Sequence, residues 1–469
     1  MNQPLESPRR LLPGAGLAAL ARFTAELDLN ALPAVAIDQA KACLLYGLAV
    51  AIASTKSDGS RIAAAAVDGE SEGDAGMRFR ATRFIDAKRI SAGDAAFCNA
   101  ALFHARVQED AHPAGHVGVA VMPAALAVAQ RLGVRGAELL CAVVAGYEVA
   151  LRIGRDHAGD ASRRGFRTTP LYGVFGAAAA AARLMRLDQG RTHNALALAA
   201  NTACGLREFV NAGTEEYTLH AGFASRNGIS AAYCAAAGAA AAASSLDGAA
   251  GFYQSYGGTE KRYDERIEEG LGREFEMLRV AYKPYPTCQF HRSVIHGVLT
   301  LRARAANWAP QAMTIRMNPF EADFVGVRFA GPFQTFSQTF MSAPFCAALA
   351  WTTGVVGYEG MHEFTAPAVL RQVSLVRIVS DPARPPYHPV IVLTDPDGAA
   401  QDEWGQTENS LTFDLTWDAA GRMAGALCQE AGVSDAARAA LVLAIEGLEH
   451  APSIDALIDA VNAAIAERP

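Results

Sequence analysis

Apolar side chains recur at helical spacing through most of the chain. After Pro33, which suits a first helical position, Val35, Ile37, Ala40, Cys43, Leu44 and Leu48 fall on one stripe, and this predicts an amphipathic helix. Pro123 opens another helix that Gly133 closes, and residues 138–154 carry Leu139, Val143, Tyr147 and Leu151 down one face. The stretches 177–182 and 239–243 are almost pure alanine. Small side chains let helices approach closely, so both runs are expected in central helices of a bundle.

The texture changes after Glu274. Residues 313–317, 373–378 and 390–393 form short β-type runs, and Pro284, Pro286, Pro382, Pro385, Pro386 and Pro389 crowd between them. From Leu411 the helical pattern returns, including 436–448 and 454–466. The expected fold is mainly α. A large helical-bundle domain is formed by both chain ends, 1–270 and 405–469, and a smaller inserted α/β lid domain, 271–404, covers the cleft. Clefts between domains are common ligand sites.

Composition agrees with a compact chain: 469 residues, 51% hydrophobic and 19% charged, long enough for two cores. The net charge of −7 gives no electrostatic footprint for nucleic acid, so an acidic ligand needs local positive charge. The eight cysteines are scattered without a CxxC pair, which suggests neither a disulfide framework nor a zinc ribbon. Arg9 and Arg10 are followed by Pro13, Gly14 and Gly16 rather than by a signal-type apolar run. The longest apolar stretch, 44–53, is too short to span a bilayer. A cytoplasmic protein without membrane contact is expected.

Three polar clusters carry candidate chemistry. The first holds His104, Arg106, Gln108, Glu109, Asp110, His112 and His116 and ends in HPAGH. Histidine titrates near neutrality and suits proton transfer, and Pro113 and Gly115 favour a loop that presents it. They also break a regular metal-binding helical face, so no metal is assigned. His104 and His112 taken singly read more readily as loop-packing residues. The second cluster, RRGFRTTPLYG, places Arg163, Arg164, Arg167, Thr168 and Thr169 before a helix starting near Pro170. A guanidinium fork and a helix N-terminus both favour carboxylate oxygens. The third, YKPYPTCQFHRS, contains Lys283, Tyr285, Cys288 and His291. Its lysine suits a substrate carboxylate or, with a lowered pKa, a base; a Cys288–His291 nucleophile pair is the weaker alternative. No GxGxxG fingerprint or Walker lysine is present, and no cofactor is expected.

These clusters, in this order, resemble the MmgE/PrpD family, which includes 2-methylcitrate dehydratase, cis-aconitate decarboxylase and iminodisuccinate epimerase. The resemblance rests on NAALFHARVQEDAHPAGHVGVAVMP from Asn99, AVVAGYEVALRIG, the Gly165 segment and NAGTEEYTLHAGFASRNGISAA from Asn211. It continues through LDGAAGF, KPYPTC at Lys283 and the Ser342 segment. It implies a helical domain with a smaller α/β domain across the cleft, chemistry without metal or organic cofactor, and a homodimer. Val107 and Ala111 stand where family dehydratases carry Asp and Thr, while Glu109 and Asp110 remain. His116 matches the family's loop histidine. Arg167 replaces a histidine beside the retained Thr169, and Tyr217 replaces a lysine before the retained His220 and Gly222. Lys283, Cys288 and His291 match K-x-Y-P-x-C-x-x-H, and Phe345 stands for a tyrosine.

The resemblance implies His116, Lys283 and Tyr217 as catalytic residues. Arg167, Thr169, His220, Cys288, His291 and Asp110 follow as substrate-binding residues. Dehydration needs an acid for the leaving hydroxyl as well as a base, whereas epimerisation needs only a base and a donor on opposite faces. The first expectation is therefore α-proton abstraction on a small di- or tricarboxylic acid with epimerase or racemase outcome, as for iminodisuccinate. A lyase of the dehydratase or decarboxylase type comes next. A non-catalytic carboxylate-binding protein and a structural helical dimerisation module are the readings from other classes.

Overall fold

A computed structural model describes residues 14–70, 81–259, 261–305, 310–395, 400–405 and 412–468. Arg9, Arg10, Pro13 and Leu411 lie outside the described residues. The fold is mainly helical with small sheets.

Two hydrophobic cores organise it. The first collects side chains from Leu17 to Val280 and again from Leu415 to Ala464. The second runs from Phe290 to Trp404 and takes in Val107, Phe209 and Tyr217 from the helical part. Those three residues mark where the two cores face each other.

Helix Ala34–Ala53 departs from the expected amphipathic pattern. Every residue from Ala40 to Ala53 is buried, because neighbouring helices cover all of its faces; a helix apolar all round is a core helix. It has the length and composition to cross a membrane, but its apolar side chains pack inside the protein. Helix Thr168–Leu184 is buried from Thr169 to Ala182, as its alanine run implied. It crosses helix Gly136–Gly154 so closely that Gly146 and Gly176 meet almost backbone to backbone.

Other expectations also need correction. Residues 239–243 form no helix: helix Tyr217–Ala236 ends at Ala237, Gly238 turns to φ 99°, and Ala239 N–H closes the end on Cys234 O at 3.0 Å. Alanine favours helix, but a left-handed glycine ahead of the run ends the helix first. Pro123 does not open its helix either. That helix is Gly118–Leu132, with Pro123 inside it, where proline removes one backbone donor but has a compatible φ.

The β-structure of the second core is one four-stranded sheet. Ala312–Met317 pairs in parallel with Val376–Ser380 and antiparallel with Val390–Thr394, which pairs antiparallel with Ala400–Gly405. Met313, Ile315 and Met317 alternate inward along the first of these strands, the period expected of a half-covered sheet. Val373 belongs instead to helix Pro367–Val373.

The Gly146 crossing makes a quantitative prediction. A methyl at Gly146 would lie 2.5 Å from Val121 Cγ1 and 2.9 Å from Gly176 O, whereas one at Gly421 meets nothing within 4 Å. Gly146→Ala is expected to lower unfolding stability by about 1–3 kcal/mol. Gly421→Ala, in helix Trp417–Glu430, should raise it by roughly 0.5–1 kcal/mol. Urea unfolding of both variants checks the pair; equal effects would contradict the close crossing.

Candidate active site

Helix Ala92–His104 ends in a largely buried loop, 105–116, that contains no helix or extended strand of its own. Three other segments hold it. Ala111 exchanges two 2.8 Å backbone bonds with Ala281, and Tyr282 N–H reaches Phe413 O at 2.8 Å. The Tyr46 hydroxyl, from the buried helix Ala34–Ala53, accepts Lys283 N–H at 3.2 Å and lies against the carbonyls of Lys283 and Gln108. Gln108 Nε2 donates to Pro284 O at 3.1 Å. The loop and the 281–288 segment are therefore one backbone unit, although about 170 residues of chain separate them.

Between them lies a cleft with about 910 Å³ of empty space, including its opening, lined by residues of both cores. Its polar centre is Glu109. Lys283 Nζ donates to Glu109 Oε1 at 2.5 Å, His116 Nδ1 lies 3.4 Å from the same oxygen, and His104 Nδ1 lies 3.1 Å from Oε2. The His104 contact is short but not aligned as a hydrogen bond. Burial works against the Glu109 charge, yet Lys283 and the two imidazoles outweigh it and hold the carboxyl well below its ordinary range. Burial pulls the Lys283 ammonium below its ordinary value, with Glu109 opposing.

His116 is the imidazole of this cluster with a nitrogen left free of protein contacts among the described residues. Its Nδ1 lies 2.8 Å from Asp110 O. A carbonyl can only accept, so Nδ1 carries the proton and Nε2 keeps its lone pair. Burial, reinforced by Lys283, pushes the imidazole down to about 3, so it is neutral at pH 7. Among the described residues Nε2 has no protein partner, and the ring lines the cleft. Thr169 fixes the backbone here, its Oγ1 accepting His116 N–H at 3.2 Å. Gly115 lets the loop pass: at φ 136° a side chain there would press on Thr168 and Thr169.

Arg167 and Tyr217 complete the polar wall. Arg167 donates through Nη2 to His104 Nε2 and through Nη1 to Tyr217 O at 2.8 Å. His104 therefore also holds its proton on Nδ1, and burial pushes it down to about 4. Arg167 is lowered by burial to about 10 and stays charged. The Tyr217 ring stands edge-on to His104 at 5.3 Å, and its hydroxyl donates to Ala105 O at 3.3 Å. Burial raises that phenol well above its ordinary value, so it remains protonated. Phe166, Phe209, Phe290, Phe324 and Phe340 supply much of the remaining wall.

The cleft thus brings together His116, Lys283, Tyr217, Arg167, Thr169 and Cys288 from the sequence-derived set. Asp110, His220 and His291 do not line it. Asp110 turns away into the core, where Tyr147 donates to its Oδ2 at 2.5 Å. His220 packs beside Phe209, one turn along the helix from Tyr217. His291 is buried with Nε2 3.0 Å from Met341 O, so it forms no nucleophile pair with Cys288, whose thiol burial raises to about 11. His112 packs in its loop, accepting Ala114 N–H at 3.1 Å. Among the lining residues that sequence reasoning passed over are Glu109, which it noted without a role, His104, which it favoured as packing, and Arg207, which it did not single out. The signal for the first two was an acidic pair set among three histidines in one short loop. Among the described residues no group of three or more His, Cys, Asp or Glu side chains is arranged to hold a metal.

Comparison with known proteins gives matches at the level of sequence. Residues 18–264 match the model of the MmgE/PrpD N-terminal domain. The chain is 29% identical over 282 residues to the cis-aconitate decarboxylase-like protein oryM of Aspergillus oryzae, covering 57% of each chain. It is 35% identical over 202 residues to human cis-aconitate decarboxylase, covering 41% of this chain and 40% of the relative. It is 26% identical over 308 residues to a cis-aconitate decarboxylase of Aspergillus terreus, covering 61% and 60%. The chain therefore spans less than two thirds of the length of these curated relatives.

Two stability measurements test the site. Glu109→Gln leaves the Lys283 ammonium buried without its counter-charge and is expected to cost about 3–5 kcal/mol in chemical unfolding; a loss under 1 kcal/mol would contradict the buried pair. Asp110 behaves oppositely. Burial raises its carboxyl from 3.8 to about 7, with Tyr147 opposing and the Glu109 charge adding. An acid that binds its proton more tightly when folded stabilises the fold below the unfolded pKa and loses that contribution as pH rises through the folded pKa. Wild-type stability should therefore fall by roughly 2–4 kcal/mol relative to Asp110→Asn between pH 4 and 8. Parallel pH profiles would show that Asp110 is ionised throughout.

Proposed function

The chain belongs to the MmgE/PrpD family, and from that premise we propose that it is a lyase acting on a small di- or tricarboxylic acid, transferring a proton at a carbon beside a carboxylate. One observation carries this reading. A neutral imidazole with a free Nε2 shares an aromatic-walled cleft with an ammonium and a guanidinium. Arg167 binds a substrate carboxylate and draws charge from the adjacent carbon. His116 Nε2 is the base for hydrogen on that carbon. Burial has weakened the hold of Lys283 on its proton, which makes the ammonium the donor.

Loss of carbon dioxide suits these groups better than loss of water. The Tyr217 hydroxyl is turned to a backbone carbonyl, and Asp110 faces Tyr147 behind the loop, so neither offers a proton to a leaving hydroxyl. Decarboxylation needs no acid at the departing group. The C–C bond breaks, carbon dioxide leaves, the electron pair stays on carbon, and Lys283 supplies one proton to it. An apolar wall assists, because a carboxylate loses its charge more readily where water is excluded. The names of the relatives point the same way.

Epimerisation is the second reading. It is favoured by the presence of two separate proton carriers, His116 and Lys283, and it needs no leaving group. Incubating candidate acids in deuterated water separates the two. The lyase reading expects carbon dioxide with one deuterium on the product carbon. The epimerase reading expects deuterium in recovered acid and no new product. His116→Gln should slow exchange of the α-hydrogen, and with it epimerisation, by about 10²–10⁴-fold; a near-normal exchange rate would remove His116 from proton abstraction.

A further inference from the structure

The cleft contains a second arginine that the proton-transfer scheme does not use. Residues 165–167 and 205–207 pair as a short antiparallel ribbon: Arg167 N–H donates to Gly205 O at 3.0 Å and Arg207 N–H to Gly165 O at 2.9 Å, around the Phe166–Leu206 bridge. In such a ribbon the residues flanking the bridge project to one side. Arg167 and Arg207 therefore leave the same side, and both line the cleft. Gly205 permits the approach: at φ 110° a side chain there would strike Pro170.

Arg207 is held as a binding group is held. Its Nη1 donates to Ser162 Oγ at 2.8 Å, and its guanidinium lies 4.6 Å above the Phe324 ring. Phe324 packs against the second core, so this contact spans the cleft. Among the described residues Arg207 has no carboxylate partner, and burial lowers its pKa. Arg167 likewise forms no salt bridge; its partners are His104 and the Tyr217 carbonyl. Glu109 is matched by Lys283. Among the described residues neither guanidinium has a carboxylate in salt-bridge contact, and the Glu109 and Glu216 charges reach Arg167 only from further off. A ligand with two carboxylates supplies one to each, and a planar guanidinium fork suits that partner.

We propose that Arg207, oriented by Ser162 and Phe324, anchors a second substrate carboxylate and sets the preference for dicarboxylates over monocarboxylates. The proposal rests on the reading of this cleft as a carboxylate site with Arg167 as its first anchor.

Calorimetric titration with glutarate and with butyrate, which lacks the second carboxylate, tests it. Arg207→Gln is expected to weaken glutarate roughly tenfold to a hundredfold and to leave butyrate within about twofold, and Arg207→Lys should recover part of the loss. Arg167→Gln should weaken both probes. Equal weakening of both probes by Arg207→Gln, or no change in either while Arg167→Gln weakens both, overturns the role of Arg207 and leaves the carboxylate site standing. If neither variant alters either probe, the carboxylate site falls and this proposal with it. Should Arg207→Gln not fold, Ser162→Ala takes its place: selective loss of glutarate supports the anchor, and unchanged glutarate overturns it.

Discussion

A carboxylate with almost no access to water must find positive charge or give up its own. Glu109 meets that requirement with Lys283 at 2.5 Å, and the position of the site follows from this pair. The loop that carries Glu109 has no regular secondary structure, and the segment that carries Lys283 is stiffened by Pro284 and Pro286. The pair fixes them side by side, assisted by the Ala111–Ala281 bonds and the Tyr46 hydroxyl. A buried ion pair adds little net stability, because desolvation offsets most of the attraction. Its effect here is positional. It sets His116 and Arg167 around one cavity and holds a proton donor within it.

The electrostatics of the other groups follow. Burial, with Lys283 adding to it, keeps the His116 imidazole neutral, while the Asp110 carbonyl dictates which nitrogen bears the proton. Arg167 does the same for His104 from the opposite side. Each imidazole is thus held in one tautomer by a neighbour that can act in only one sense, a carbonyl that accepts or a guanidinium that donates. Such preorganisation lets a weak base act without rearrangement.

Much of this was legible in the sequence, for physical reasons. Helical periodicity survives over long stretches, and the loop signals HPAGH and RRGFRTT stand out against apolar text, so His116, Arg167 and Thr169 could be singled out. The proline-stiffened segment YKPYPTCQFHRS likewise pointed to Lys283 and Cys288, and family resemblance added Tyr217. Where the reading failed, the deciding information was not local. The alanine-rich stretch 239–243 has helical propensity but follows a left-handed glycine. Helix Ala34–Ala53 looked amphipathic because its neighbours are invisible in one dimension. Asp110 and Glu109 are adjacent in sequence, yet opposite backbone faces send one to Tyr147 and the other into the cleft. Arg207 sits in a stretch of ordinary composition, and only its pairing with residue 165 brings it to the site.

The account depends on one arrangement: an acid bound with its carboxylate on a guanidinium and a carbon facing the free nitrogen of His116. A crystal structure with tricarballylate, an unreactive tricarboxylate, tests this directly. The expected result is a carboxylate within hydrogen-bond distance of the Arg167 guanidinium and a methylene carbon about 3–3.5 Å from His116 Nε2. Tricarballylate bound away from this cleft, or held in it with His116 Nε2 engaged by the protein and no carboxylate on Arg167, would contradict the account.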